Sequence, residues 1–324
     1  MNIELIVENK DKQQIYDLSN VAQDIEWTVE MEGNPGKLSF SYIDKASDNH
    51  VIEGSTVSLK VKSQKVFWGY VFKISKNEDR EVSVTCYDQL RYLKNKDTYI
   101  FESATATDVF RKICNDHSIK YSLINSSSYL LEARIYDNKT LAEMIQYTFD
   151  KTLIDTGEWY FMRDNFGTLE MLEVSQQVTN IVVGDKSLLT GYSFESSIDG
   201  DTYNQVKLVK ENQETKKREV YIVKDSSNIN RWGLLQYYET VDESMNDAQI
   251  RERANTLLRY YNKPQKSLKV TCIGQLDVRA GCGIVLMIKD LQDEMVYQKN
   301  VIVYKVSHSF KNNEHSMELE VLIN

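Results

Sequence analysis

Histidine and cysteine side chains are the first candidates for catalysis or metal binding in this 324-residue chain, which has four of each. His50 and His315 lie in polar runs and are predicted to be solvated turn residues, while His117 follows a helical pattern and is expected to cap its C-terminal end. His308 lies in an alternating strand pattern and could face either side. A nucleophilic pair of Cys114 with His117 would need a geometry that one helical turn rarely supplies. The zinc-protease, serine-hydrolase and nucleophilic-cysteine signatures are absent, so these residues predict no catalytic site.

Three other patterns have residue types suited to chemistry but spacing that is not. Residues 199–204 offer calcium-binding oxygens, yet they lack EF-hand spacing and a closing bidentate Glu, and their Asp-Gly step favours a hairpin turn. Glu170 and Glu173 resemble an acid–base pair, but on a strand they point to opposite faces. The basic cluster at residues 216–218 is predicted to be a solvated hairpin tip; contact with an acidic partner is the alternative. We therefore expect a protein without catalytic residues, cofactor or metal, and not an enzyme.

Composition narrows the class of protein. Hydrophobic residues make up 41% of the chain, which supports real cores, and 324 residues leave room for two or three domains. The net charge of −9 disfavours a surface that grips nucleic acid, since phosphate contacts need clustered Lys and Arg. No pair of cysteines has C-x-x-C spacing, so a disulfide framework is not expected. The N-terminus lacks the apolar core of a signal peptide, and no segment is apolar enough to span a bilayer, so we expect cytoplasmic synthesis and no membrane partner.

The elements that must position these residues are predicted to repeat. Residues 54–93 have the pattern strand, turn, strand, polar turn, strand, followed by helical spacing, and residues 281–322 repeat the three-strand pattern. Upstream, residues 27–42 and 192–209 each resemble a hairpin with a glycine-containing turn. Because two separate segments recur in the same order, the sequence predicts one small β-barrel present twice.

The chain between and within the repeats has a different character. Residues 98–186 contain a helical stripe over 107–117, a capping box at Thr140–Glu143 that opens a second helix, and a hairpin on residues 164–167. A further helix, with Ser244 as its expected N-cap, precedes Pro264. The predicted fold is mainly β with α+β parts. Its domains are a first barrel (1–97), an α+β domain (98–186), a split second barrel (187–225 and 265–324) and a helical insert (226–264).

Several short motifs in this order resemble the baseplate hub family of contractile phage tails and phage-tail-like bacteriocins, most closely its defective-prophage type. They lie at residues 67–71, 84–90, 140–143, 157–160, 165–169, 232–236 and 279–281. The resemblance implies two related barrels per chain and a homotrimeric, pseudo-six-fold ring. That ring adapts a hexameric tail tube to a trimeric central spike in the baseplate of a virion or tail particle. The chain ends at Asn324, directly after the last predicted strand, so we expect no attached spike or lysozyme domain.

Two functions follow from these observations. The first is a structural hub whose partners are two further copies of itself, the tube protein, the spike protein and other baseplate proteins. Three chains with two similar barrels each present both three-fold and near six-fold symmetry. An acidic channel wall would let DNA pass without sequence-specific binding. The alternative is a peptidoglycan hydrolase or glycan-binding module of the tail tip, against which the lack of a catalytic constellation counts.

Overall fold

A computed structural model of the protein describes residues 1–44, 51–212, 217–294 and 299–323. The chain opens with seven strands: β1 (Ile3–Asn9), β2 (Gln14–Asp17), β3 (Gln23–Glu30), β4 (Lys37–Ile43), β5 (Thr56–Val61), β6 (Gln64–Lys76) and β7 (Glu81–Tyr87). A 3-10 helix (Gln89–Lys94) precedes β8 (Lys96–Phe101), β9 (Ala104–Thr105), α1 (Ala106–Asp116), β10 (Tyr121–Leu123), β11 (Leu130–Leu131), β12 (Arg134–Thr140), α2 (Leu141–Thr156), β13 (Tyr160–Asp164) and β14 (Leu169–Glu173). A second 3-10 helix (Val174–Gln176) precedes β15 (Val178–Gly184), β16 (Leu189–Ser197), β17 (Gln205–Asn212), β18 (Lys217–Lys224), α3 (Ser226–Trp232), β19 (Gln236–Val241), α4 (Asp247–Tyr261) and β20 (Gln265–Ile273). The chain ends with β21 (Gly283–Met287), a 3-10 helix (Lys289–Glu294), β22 (Lys299–Lys311) and β23 (Glu314–Leu322).

One large sheet dominates the fold. Within the described residues it has 13 strands in the order β16-β20-β23-β22-β3-β4-β7-β6-β5-β1-β2, with β21 beside β22 and β15 beside β21. Where the register is described, its pairings are antiparallel except β15–β21, which is parallel. The prediction of a mainly β protein with α+β parts is thus confirmed, whereas closure of the strands into two barrels stays a prediction.

The predicted three-strand repeat is visible in the backbone hydrogen bonds. Strands β5-β6-β7 and β21-β22-β23 are both antiparallel meanders with a 13-residue middle strand. Before each meander a glycine has a positive φ, 82° at Gly54 and 86° at Gly281, a conformation that L side chains rarely adopt. The glycine N–H donates to a valine carbonyl of the long strand, at 2.9 Å to Val71 and 2.8 Å to Val303. Each valine N–H donates in return, at 2.9 Å, to the carbonyl of the residue after the glycine.

A β-bulge recurs at the same place in the two meanders. The register against the last strand shifts at Phe72 in β6 and at Tyr304 in β22, each one residue beyond the valine that bonds the glycine turn. A bulge inserts one residue and bends its strand, so its position defines the local path. The two meanders therefore share their glycine turn, their strand pairing and the position of their bulge.

Strand β20 takes the place in the second meander that β4 takes in the first, beside the last strand. The N–H groups of Asp44 and Gly274, which follow these strands, donate to the carbonyls of Arg80 and His315 at 3.0 and 2.8 Å. The predicted hairpin over residues 192–209 is wrong, because β16 lies beside β20 whereas β17 belongs to another sheet. The chain leaves the large sheet after β16 and returns to it with β20.

Residues Phe194–Leu268 form a separate compact unit. Its three-stranded sheet β18-β17-β19 packs against α4 around a small apolar core. The sequence 199–204 is held inside this unit, since the Thr202 hydroxyl donates to Lys263 O at 3.2 Å and the Asn204 amide to Gly233 O at 2.7 Å. The prediction that the Asp-Gly step forms a hairpin turn is wrong, because the strands on its two sides, β16 and β17, lie in different sheets. Strand β17 pairs here with both β18 and β19, so β17 and β18, which the sequence groups with the second barrel, lie in this sheet. The core residues are Val206, Leu208, Val241, Ile250 and Ala254.

Helix capping in the structure follows local sequence. The predicted capping box opens α2: Thr140 Oγ1 accepts from Glu143 N–H at 3.1 Å, and the Glu143 carboxylate accepts from Thr140 N–H at 2.7 Å. The prediction that Ser244 caps α4 is wrong, because Asn246 does so by accepting from Gln249 N–H at 3.0 Å. Helices α1 and α2 bury the predicted stripes, which comprise Val109, Phe110, Ile113, Cys114, Leu141, Met144, Ile145, Thr148 and Phe149.

Candidate functional site

The predicted nucleophile and base do not form a catalytic pair. His117 is the C-cap of α1, as predicted, and Cys114 is fully buried. Burial raises the pKa of the Cys114 thiol to about 12, so it stays protonated and unreactive at neutral pH. His50 lies outside the described residues. The two remaining histidines, His308 and His315, lie in contact. The prediction that His315 is a solvated turn residue is wrong, because it lies in β23, half-buried against His308.

The acidic and basic patterns are also structural. Glu170 is buried, forms an ion pair with Arg163 at 3.2 Å and accepts from Asn165 Nδ2 at 2.7 Å. Glu173, three residues along β14, bonds elsewhere, to Ser175. Residues 217 and 218 begin β18 in an antiparallel hairpin with β17 and are exposed, while residue 216 lies outside the described part. In the described ranges, no group of three or more His, Cys, Asp or Glu side chains could hold a metal ion.

The best-defined polar site lies where β22 of the second meander pairs with β3. Residues 305–310 of β22 pair antiparallel with residues 25–30 of β3. Across this joint Lys305 Nζ lies 3.7 Å from a Glu30 carboxylate oxygen, and the hydroxyls of Thr28 and Ser307 are 2.8 Å apart. The joint thus connects strands nearly 280 positions apart in sequence into one sheet.

His308 lies at the centre of the joint with no exposed surface. Its Nε2 is 2.9 Å from Val278 O, and its Nδ1 is 3.0 Å from Nε2 of His315. A carbonyl only accepts hydrogen bonds, so His308 Nε2 carries the proton and its Nδ1 accepts from His315. The ring also stacks on Trp27, its cross-strand partner, at 4.9 Å between centroids. This network is complete only when His308 is neutral in that tautomer.

Burial and neighbouring cations favour the neutral form of both histidines. Burial lowers the pKa of His308 to about 3, with smaller contributions from His315 and Arg279. Burial also lowers the pKa of His315 to about 4, with Lys62 as the second cause. Protonation of the pair therefore opposes the folded joint.

A second polar cluster, centred on Arg279, lies beside the histidines. The Arg279 guanidinium lies over the Trp27 ring at 5.4 Å from the centroid, and its Nη2 donates to Asp164 O at 2.6 Å. Asp88 accepts from the Gly36 and Leu90 N–H groups at 2.9 and 3.0 Å. The cluster therefore links loops next to both meanders with the β13–β14 hairpin.

The two carboxyl groups of this cluster are strongly perturbed. Burial raises the pKa of Asp88 well above its usual range, with Asp164 as the second cause, and burial raises the pKa of Asp164 to about 7. Burial lowers the pKa of Arg279 to about 10, so the guanidinium remains charged at neutral pH. Perturbed groups often mark active sites, but they also occur in structural networks. Here the hydrogen bonds of Asp88 and Arg279 go to backbone groups of the protein itself, as in a structural network.

The members of the Arg279 cluster could not be predicted from the sequence. Asp88 and Arg279 appear in the sequence only inside motifs of the resemblance, and nothing local marks Asp164 as buried. Their proximity results from pairing of distant strands, for which a single sequence carries no signal. The strand position of His308 was the one usable indication, and it left the facing side open.

Within the described residues, helices long and apolar enough to cross a bilayer are absent.

Comparison with known proteins places these features in context. The sequence matches the family described as YQBQ-like over residues 25–322. The phage-like element PBSX protein XkdQ of Bacillus subtilis (strain 168) is 30% identical over 318 residues, which cover 93% of this chain and 95% of that protein.

Two solved structures share the fold at low sequence identity. The 43 kDa tail protein of prophage MuSo2 from Shewanella oneidensis has a TM-score of 0.72 at 12% identity, covering 99% of this chain and 98% of that one. An E. coli component of the type VI secretion system, described as structurally similar to the T4 tail proteins gp27 and gp5, has a TM-score of 0.56 at 12% identity. The match covers 94% of this chain and 74% of that one. The fold is therefore that of phage tail proteins.

Proposed function

Because the chain belongs to the YQBQ-like family, we propose that it is a structural baseplate hub of a contractile tail or related injection particle. Three copies form a ring that docks the hexameric tail tube on one side and the trimeric central spike on the other. Its relationship to a protein of the phage-like element PBSX and its tail-protein fold support this role.

The observation that carries the proposal is the repeated meander. The same glycine turn, return hydrogen bond and bulge occur in β5-β6-β7 and β21-β22-β23. Strands β3 and β22 join these two copies in one sheet. A homotrimer of such chains presents six similar units around a three-fold axis, which suits an adaptor between six-fold and three-fold partners.

The buried polar groups of the joint and of the Arg279 cluster suit a protein through which force is transmitted. Buried polar groups that bond backbone atoms fix the relative positions of the elements they link, and removing one partner of such a network is costly. His308, Arg279 and Asp88 supply these bonds between loops and strands that are distant in sequence. A protein that transmits force during contraction benefits from such a rigid connection.

Light scattering combined with electron microscopy tests the proposal. One chain has a mass of 37.7 kDa, so a trimer of about 113 kDa is expected, with ring-shaped averages that show six similar lobes. Mixing with the tube protein and the spike protein of the same particle should give a ternary complex. Monomers alone that bind neither protein would refute the hub. In a peptidoglycan zymogram the purified chain should leave no clearing; clearing would favour the hydrolase instead.

A further inference from the structure

Strand β22 shares one of its edges between two partners. Its first part pairs with β21 over residues 299–302, and its second part, residues 305–310, pairs with β3 on the same side, since β23 occupies the other edge. Half of this edge of β22 therefore has no partner within the second meander, and β3 pairs with that half.

Strand β6 divides its edges in the same way, but in the described residues no strand takes the position that β3 takes beside β22. Its first part pairs with β5 and its other edge with β7. When the bulges at Phe72 and Tyr304 are matched, Lys73 corresponds to Lys305 and Ser75 to Ser307, which are residues that face β3 in the joint. Among the described residues no strand pairs with the outer edge of β6 at positions 72–75. The first meander therefore presents an open half-strand.

Strand β16 is the counterpart of β3. It lies beside β20, with Ile273 N–H donating to Leu188 O at 2.9 Å, as β3 lies beside β4. In the described part of the chain its other edge pairs with no strand. The Tyr192 hydroxyl contacts Asp290 at 3.2 Å, but this side-chain bond leaves the backbone edge available. Open edges of this length attract a partner strand.

We propose that β16 of one copy pairs antiparallel with positions 72–75 of β6 in a second copy, as β3 pairs with β22 within the chain. The inference rests on the proposed ring and names its seam. Within the described residues, the edge of β16 and the half-edge of β6 are both open, and these are different surfaces. Contacts of this heterologous kind repeat from copy to copy and can close into a ring. The seam between chains would then copy the joint inside each chain.

Disulfide cross-linking tests the seam directly. Neighbouring strands lie about 4.8 Å apart, within disulfide range, whereas Cα atoms more than about 7 Å apart cannot be bridged. The native cysteines are all buried, so engineered surface cysteines react selectively. Ser75→Cys in β6 is mixed with Thr190→Cys, Gly191→Cys or Ser193→Cys in β16, and the mixture is oxidised mildly. A Cβ at Gly191 meets no atom within 4 Å, so this substitution fits.

We expect a covalent dimer in the mixture, strongest with one of the three β16 positions, and none from either variant alone. Ser83→Cys is the matched control, because Ser83 is the exposed cross-strand neighbour of Ser75 but lies one strand further from the edge. Ser75→Cys placed in one chain with the best β16 cysteine should give a ladder that ends at the covalent trimer.

Three results would overturn the inference. A trimer by light scattering without cross-links above the Ser83→Cys control means that the seam lies elsewhere, while the proposed function stands. A β16 cysteine that cross-links with itself indicates a two-fold contact instead. Monomers without any cross-link overturn the seam and the ring together.

Discussion

The buried His308 makes a specific prediction about acid stability. In the folded protein its pKa is about 3, against about 6.5 in an unfolded chain. Between these values the unfolded state binds one more proton, so stability is fully present above pH 6.5 and falls as pH decreases towards 3. The slope is about 1.4 kcal/mol per pH unit for one proton, and the total is on the order of 4–5 kcal/mol.

Replacement with glutamine isolates this contribution. His308→Gln retains an amide donor for Val278 O but cannot be protonated, and it loses the ring that stacks on Trp27. Loss of the stacked ring should cost about 2 kcal/mol at pH 7. Below pH 6.5 only the native protein loses stability through this site, so the difference should shrink by about 1.4 kcal/mol per unit. The two stabilities should become equal near pH 5.

Urea unfolding of both proteins at half-unit steps from pH 7.5 to 4 measures this difference. Ile113→Val, a truncation in the α1 core without an ionisable group, is the control and should cost about 1 kcal/mol at every pH. Parallel curves for native protein and His308→Gln would refute the reasoning, because they would mean that His308 binds its proton equally well in both states. Arg279 lowers the pKa of His308 and Lys62 that of His315, so both cations oppose protonation of the pair.

Other substitutions test other parts of the fold, each by urea unfolding at pH 7. Gly69→Ala should destabilise the protein by about 2 kcal/mol or more, because the added Cβ would overlap the Tyr87 carbonyl. Gly191→Ala is the control: its Cβ meets open space, so stability should change by less than about 0.5 kcal/mol. Equal effects of the two substitutions would contradict the close approach of Gly69 to the Tyr87 backbone. Phe110→Ala removes a fully buried ring and should cost about 3–5 kcal/mol, and a cost below about 1 kcal/mol would be inconsistent with this core. Thr140→Ala removes the α2 cap and should cost about 1 kcal/mol, which Thr140→Ser should restore; failure of serine to do so would exclude the hydroxyl as the cause.

Elements with short-range causes could be predicted from the sequence. The capping box at Thr140 depends on residues three apart, and the meander pattern depends on alternation within each strand. The repeat itself was predictable because it compares the chain with itself. The cap at Asn246 was not, because Ser244 and Asn246 are both good N-cap residues and their spacing to the helix differs by only two positions.

The candidate site was mostly beyond sequence reasoning. A strand edge offers the same backbone donors and acceptors to any partner, so alternation predicts that a strand exists but not which strand lies beside it. In the folded protein β20, and not β17, lies beside β16, and β3 lies beside β22. It also buried His308 against Trp27. The sequence alone determined the repeated meander, through the alternation within its strands, and the family of the chain, through the order of its short motifs. Only the tertiary structure decided how the two copies join, because that depends on contacts between residues far apart in the chain.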